Sequence, residues 1–358
     1  MSTTPRDQAA AVRAGEELDK ASLADYLKAQ LGNLSEPLDI KQFPSGFSNL
    51  TYLISTSHQE YVLRRPPFGT HVGAAHNMQR EYQVLSLLKP VYEQVPTPVL
   101  YCDDESIIGA PFYLMERVAG VILRGTTKNT ELTPALMQQL STSAVDRLAD
   151  LHALDIQCTG LDQLGKPQGY VERQVTGWTQ RYRRAETDTV AAMNEATKWL
   201  ATHLPPADYT ASFIHNDYKY DNLVLAPDDL TRITAVLDWE MATVGDPLMD
   251  LGTTLGYWAE GSDNPALKPF NLTWLPGNLT REEVAQRYAE RRGIELNHLL
   301  FYYVFGCFKI GVIVQQIYAR YRQGLTQDPR FAGLIHVVQA CADNAQKAIS
   351  LSRISHLS

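Results

Sequence analysis

The order of apolar and polar positions divides the chain into a strand-rich beginning and a helix-rich remainder. Residues 15–31 predict a helix with Leu23, Tyr26, Leu27 and Leu31 on one face and Ser22 as its cap. Residues 50–55 and 61–64 are short apolar runs separated by a polar stretch, and predict two antiparallel strands. A helix is expected over about 74–88, then further strands at 98–101 and 111–115. Beyond that point the period lengthens. Thr133 can cap a helix that opens on Pro134, a residue suited to the first helical position, and that carries Met137, Leu140, Ala144, Leu148 and Leu151 at helical spacing. Tyr170, Gln174, Trp178 and Tyr182 recur every four residues, a stripe expected to face a core with arginines on its wet side. Residues 299–314 form the longest apolar run; it falls short of the roughly 20 residues of a membrane span, and Lys309 interrupts it, so a buried core helix is expected.

Residues 213–240 concentrate the chemistry. Leu223-Val224-Leu225 and residues 233–237 are apolar runs, and Ala226-Pro227-Asp228-Asp229 between them is a turn cluster, so the stretch reads as a hairpin flanked by loops. A hairpin brings its outer ends together, which sets Asn222 beside Asp238, with His215 and Asp217 on the loop just before. Three oxygen-bearing side chains in one place suit phosphoryl transfer: a carboxylate to orient and deprotonate a hydroxyl, and an amide oxygen with a second carboxylate to hold Mg²⁺ on nucleotide phosphates.

His215-x-Asp217-x-Lys219-x-x-Asn222 followed by Asp238 resembles the catalytic loop and metal-binding aspartate of protein kinases. The tails Asp238-Trp239-Glu240 and Gly245-Asp246-Pro247 through Asp250-Leu251 differ from a protein kinase and resemble the aminoglycoside phosphotransferase superfamily, kinases of small hydroxylated molecules. The run from Tyr170 to Tyr182 and the late helix around Phe308–Tyr321 resemble a subgroup, the phosphotransferase domain attached to acyl-CoA dehydrogenase family members ten and eleven. The resemblance implies an α+β, protein-kinase-like two-lobe fold. Residues 1–115 would form a leader helix and a small antiparallel β-sheet lobe that binds nucleotide; residues 116–358 would form the hinge and a mainly helical catalytic and substrate lobe.

The same resemblance assigns roles. Asp217 would be the base and Lys219 would neutralise charge on the transferring phosphate; Asn222 and Asp238 would hold Mg²⁺. Gly46, Ser48 and Asn49 occupy the place of a phosphate-capping loop. Arg64 stands where kinases carry a phosphate-anchoring lysine, with Arg65 as the other candidate and the remaining arginine expected in solvent. Glu81 would pair with that cation, and backbone groups of Glu116 and Val118 would meet adenine at the hinge. His215 is expected to brace backbone near Asp238, Asp246 and Asp250 to cap or brace loops, and Glu240 to reach a metal or a nearby cation. His152 is expected to pack rather than react. The implied cofactors are ATP and Mg²⁺, and the implied reaction is phosphorylation of a hydroxyacyl-CoA thioester. Arg173, Arg181, Arg183 and Arg184 are candidates for meeting a polyanionic substrate.

Composition narrows the alternatives. The 358 residues are 44% hydrophobic and 20% charged, ordinary for a globular protein, and the net charge of -8 argues against a nucleic-acid or anionic-membrane surface. The four cysteines are far apart, with no metal-ligand spacing, and read as reduced thiols of a cytoplasmic protein with no signal peptide. An aminoglycoside or amino-alcohol kinase is the second reading; it needs an acidic lining from residues 260–278 or the C-terminal helices, and 260–278 offer only Glu260 and Asp263. A non-catalytic kinase-like binding module is the third, and the presence of Asp217, Asn222 and Asp238 together weighs against it. The oligomeric state is not readable from the chain.

Overall fold

The computed structural model describes residues 8–32, 37–44, 49–68, 77–125, 127, 132–326 and 328–357. Gly46 and Ser48 of the expected phosphate loop, and the first residues of the helix expected from 74, lie outside them. Helix α1 spans Lys20–Leu31, shorter than the expected 15–31, and its cap lies three residues before the expected one. Asp19, not Ser22, accepts from the Ala21 and Ser22 backbone N–H groups, because a carboxylate just before the first turn reaches the free amides that Ser22, already inside the helix, cannot.

Strands β1 (Asp39–Gln42), β2 (Leu50–Ser55), β3 (Glu60–Arg65), β4 (Pro98–Cys102) and β5 (Phe112–Glu116) form an antiparallel sheet in the order β1-β2-β3-β5-β4. Alternation along β2 and β3 sorts their side chains onto two faces. Tyr52, Ile54 and Leu63 pack with Leu23 and Leu27 of α1, whereas Leu53 and Val62 pack with Val84, Leu85 and Leu88 of helix α2 (Met78–Leu88). The alternation also separates the two arginines. Arg64 shares the α2 face with Val62. Arg65 shares the α1 face with Leu63, and is not in solvent as expected: it is 2% exposed, donates to the Ile108 carbonyl at 2.8 Å and lies over the Phe68 ring.

Past β5 the chain builds the helical lobe. Helix α3 (Pro134–His152) has Thr133 as its cap and proline in its first turn, as expected. Helices α4 (Tyr170–Ala185) and α5 (Ala191–Thr202) precede a short strand β6 (Ser212–Ile214), the hairpin β7 (Leu223–Ala226) and β8 (Asp229–Val236), and β9 (Thr243–Gly245), which pairs with β6. Helices α6 (Pro247–Tyr257), α7 (Arg281–Arg292), α8 (Leu299–Arg322) and α9 (Leu334–Leu351) complete it. The α4 stripe behaves as the spacing predicts: Tyr170, Trp178 and Tyr182 are buried and Arg173, Arg181, Arg183 and Arg184 exposed.

Helix α8 is long and apolar enough to cross a membrane, but 78% of its most apolar window is buried inside this fold, so it is the core helix the sequence predicts. It packs on α6 through glycines. Gly306 faces the Gly252 backbone, and Gly252 faces the Tyr302 carbonyl, so closely that a methyl group at either would overlap backbone atoms. Neither helix can yield without moving the 215–216 backbone that Asp250 of α6 holds. Gly306→Ala is therefore expected to destabilise the protein by ~1–3 kcal/mol, read as a lower urea midpoint; an unchanged midpoint would show that the helices separate freely.

Candidate active site

The hairpin closes the site as its pattern predicts. Across its mouth the Leu237 N–H donates to the Asn222 carbonyl at 2.8 Å, which sets Asn222 and Asp238 side by side. His215 reaches the same point from the preceding loop. The Asp217 N–H donates to His215 Nδ1, so Nε2 carries the proton and donates to the Leu237 carbonyl at 2.9 Å. Burial lowers the His215 pKa, in keeping with this neutral, bracing form. Asp250 binds the loop from below: its carboxylate accepts from the His215 and Asn216 N–H groups at 2.6 and 2.8 Å. His152 Nε2 supports Asp250 at 3.1 Å, while His152 Nδ1 meets the Tyr288 hydroxyl. Asp246 caps α6 by accepting from the Leu248 N–H.

Asp217 is gathered with both of its expected neighbours. Lys219 Nζ lies 2.8 Å from Asp217 Oδ2 and over the Tyr257 ring, and Asn222 Nδ2 donates to the Asp217 carbonyl and to Oδ2 at 2.8 and 2.9 Å. Burial would raise the Asp217 pKa, but the Lys219 ammonium holds it below the usual carboxylate range, so the group is ionised at neutral pH. Asp221, on the same short turn, is pushed upward by burial despite Lys219.

A second charge cluster joins the lobes. Arg64 Nη1 and Nη2 both lie 3.2 Å from Asp238 Oδ1; the same guanidinium is 3.4 Å from Glu81 and 3.6 Å from Glu240. Desolvation opposes its charge, but these carboxylates outweigh it and keep Arg64 protonated. The choice between the two arginines is thus made by which face of β3 meets α2. Asn49 lines the cavity, yet its amide nitrogen is tied to Glu81 and Glu240 at 2.9 and 3.2 Å. Glu240 therefore meets a cation and an amide within the chain. Tyr113 donates to Glu81 from β5, and Arg80 of α2 donates to the carbonyls of Leu164 and Ala242, fastening α2 to the helical lobe.

These groups open on one cavity of about 450 Å³. Its lining includes the apolar side chains of Val62, Met115, Val118, Ile122 and Val224, an apolar slot that also takes in Glu116 of the expected hinge. Asp217, Lys219, Asn222 and Asp238 line the cavity as well. Tyr257, Phe270, Ile310, Ile313, Val314 and Ile317 add an apolar wall. Sequence reasoning did not find this wall; the only available signal was the i, i+3, i+4, i+7 recurrence on α8, which a core face produces equally. Of the arginines considered for a polyanion, Arg181 stacks over Trp178 and Arg173 donates to the Lys166 and Gln168 carbonyls.

The donor set suits a hard cation. Oδ1 of Asp238 takes both Arg64 contacts, which leaves Oδ2 of a partly exposed carboxylate, and the bonds from Asn222 Nδ2 turn its amide oxygen away from Asp217. One carboxylate and one amide oxygen match the few protein ligands Mg²⁺ takes when phosphates and water complete its shell.

A family model described as the phosphotransferase enzyme family matches residues 39–290. The chain belongs to this family. It is 36% identical to chicken acyl-CoA dehydrogenase family member 11 over 363 residues, covering 96% of this chain and 46% of that protein. It is 37% identical to mouse acyl-CoA dehydrogenase family member 10, covering 86% of this chain and 29% of that protein. The chain thus spans less than half the length of these curated relatives. Among solved structures, a Ralstonia eutropha protein provisionally assigned to the aminoglycoside phosphotransferases superposes with a TM-score of 0.77 at 29% identity, over 92% of this chain and 99% of that one. The GDP complex of aminoglycoside 2'-phosphotransferase-IIIa gives 0.60 at 15% identity, over 91% and 99%, a likeness of fold. The family's kinase-like α+β architecture is accordingly the fold of this chain.

The ion pair at the loop makes a direct prediction. In Lys219→Met the cation that holds the Asp217 pKa down is gone while burial remains, so the Asp217 carboxyl should titrate at higher pH than in the parent. Carbon-detected NMR titration of the aspartate carboxyls checks this; an unmoved midpoint would mean that Lys219 does not set the charge of Asp217.

Proposed function

We propose that this protein phosphorylates an alcohol hydroxyl on an apolar-chained small molecule, with ATP as donor and Mg²⁺ as cofactor, and that its acceptor is a hydroxyacyl-CoA thioester. The observation that carries the reading is the apolar wall of Phe270, Ile310, Ile313, Val314 and Ile317 in the same cavity as Asp217. An aliphatic chain against it would gain about 25 cal/mol for each Å² removed from water, which a polycation would forgo. The names of the curated relatives, acyl-CoA dehydrogenase family members 10 and 11, connect this kind of domain with acyl-CoA chemistry.

A polycationic acceptor fits less well. Glu260 and Asp263, the acids considered for such a lining, are buried against Arg281, at 3.4 and 2.7 Å, and Glu260 also accepts from the Arg281 and His356 N–H groups. Both carboxylates are already engaged by Arg281 inside the protein.

In this reading Asp217 accepts the hydrogen bond of the acceptor hydroxyl and aligns its oxygen with the γ-phosphorus. The new acceptor O–P bond forms as the P–O bond to the β-phosphate breaks, and the hydroxyl proton passes to Asp217 and then to solvent as ADP leaves. Lys219, paired with Asp217 at 2.8 Å, would turn to a γ-phosphate oxygen as negative charge moves there. Arg64, oriented by Glu81, serves the remaining phosphates. Asn222 and Asp238 would hold Mg²⁺, which would supply positive charge to offset that of the phosphates. The residues otherwise act by position and fixed charge.

The test is ATP consumption with Mg²⁺ across 4-hydroxyacyl-CoAs, free hydroxy acids, kanamycin and choline. Turnover is expected with the thioesters, and Asp217→Asn should lower kcat by roughly 10²–10⁴-fold. Turnover confined to the cationic acceptors would overturn the acceptor assignment. Ile313→Asp should raise KM for the thioester and leave nucleotide affinity unchanged, because it adds a charge to the apolar wall alone.

A further inference from the structure

Lys309 is the one charged residue within the apolar run of α8, and it is 1% exposed. A lysine in such a place has a large desolvation cost unless something there requires a cation. Its Nζ donates to the Asn216 carbonyl at 2.7 Å and lies 3.4 Å from Thr253 Oγ1 of α6, with the Trp178 ring of α4 beside it. Asn216 directly precedes Asp217 and has φ of +68°. A non-glycine residue is uncommon in that left-handed region, even asparagine, which tolerates it best, and it is kept there by its surroundings.

The hold on Asn216 comes from several directions. Its N–H goes to Asp250 on α6, its side-chain Nδ2 to the Met241 carbonyl and the Tyr170 hydroxyl, and its carbonyl to Lys309 on α8. We infer that Lys309 is a positioning residue: by holding the Asn216 carbonyl it fixes the turn that presents Asp217 to the acceptor. The inference rests on the proposed role of Asp217 as base, since it assigns Lys309 a part in the same reaction. The surrounding charges agree. Burial lowers the Lys309 pKa to about 8, while Asp250 and Asp217 oppose that fall and Arg181 and Lys219 add to it, so the ammonium form prevails at neutral pH. Since Ile310, Ile313, Val314 and Ile317 of the same helix line the cavity, α8 carries both the acceptor wall and the anchor of the base.

The experiment compares the parent with Lys309→Met, close in shape but without a donor, and Lys309→Gln, a neutral donor. Three quantities are read: kcat with the best acceptor, nucleotide affinity, and amide hydrogen exchange at His215–Lys219 without ligands. In Lys309→Met, kcat should fall roughly ten- to hundred-fold, the loss expected for a base displaced by about 1 Å. Nucleotide affinity should be unchanged, exchange should quicken at those amides alone, and Lys309→Gln should recover part of both losses. Parental kcat and exchange in Lys309→Met would overturn the inference, as would quickened exchange throughout the chain with a matching loss of nucleotide affinity. If Lys309→Met does not fold, Lys309→Gln decides on the same readouts, with parental kcat and exchange overturning the inference. If the parent turns over no acceptor, the function proposed above fails, and the exchange pattern still decides whether Lys309 holds the turn.

Discussion

The buried carboxylate of Asp250 is the constraint on which the site depends. It accepts from two successive backbone N–H groups, at His215 and Asn216, and thereby bends the chain into the left-handed step that precedes Asp217. A carboxylate with no solvent contact must be compensated, and here His152 and the two amides do so; although burial acts against its charge, these donors keep the Asp250 pKa below the usual range. The close packing of α6 on α8 then ties the loop to the longest helix among the described residues, and His215 ties it to the hairpin.

On this frame the two charge clusters do different work. Asp217 and Lys219 are paired within one short loop, so their distance depends little on how the lobes sit. Arg64 meets Asp238 and Glu240 across the lobes, and Glu81 within its own lobe. Because Arg80 also fastens α2 to the helical lobe, the cation that would face the nucleotide phosphates is held by both halves of the molecule at once. The apolar slot by Glu116 and the apolar wall of α8 belong to the cavity that Asp217, Asp238 and Glu240 also line, which places polar chemistry in a largely apolar enclosure and strengthens each electrostatic contact.

The chain alone determined what is local. The hairpin that joins Asn222 to Asp238, the His215–Asp217 loop, the Thr133 cap and the buried character of α8 follow from turn residues, spacing and periodicity over a few dozen positions, and all appear in the fold. The cap of α1 was misread by three residues because Asp19 and Ser22 are both good caps, and which one serves depends on where Leu23 and Leu27 must meet the sheet. What only the tertiary structure decided are contacts between distant segments: Arg64 to Asp238 across 174 positions, Lys309 to Asn216 across 93, and the wall that α8 turns toward the cavity. A strand's alternation names two faces without saying which one meets the site, and a helix's apolar stripe looks the same whether it faces a core or a ligand. Those choices are made only when the elements pack.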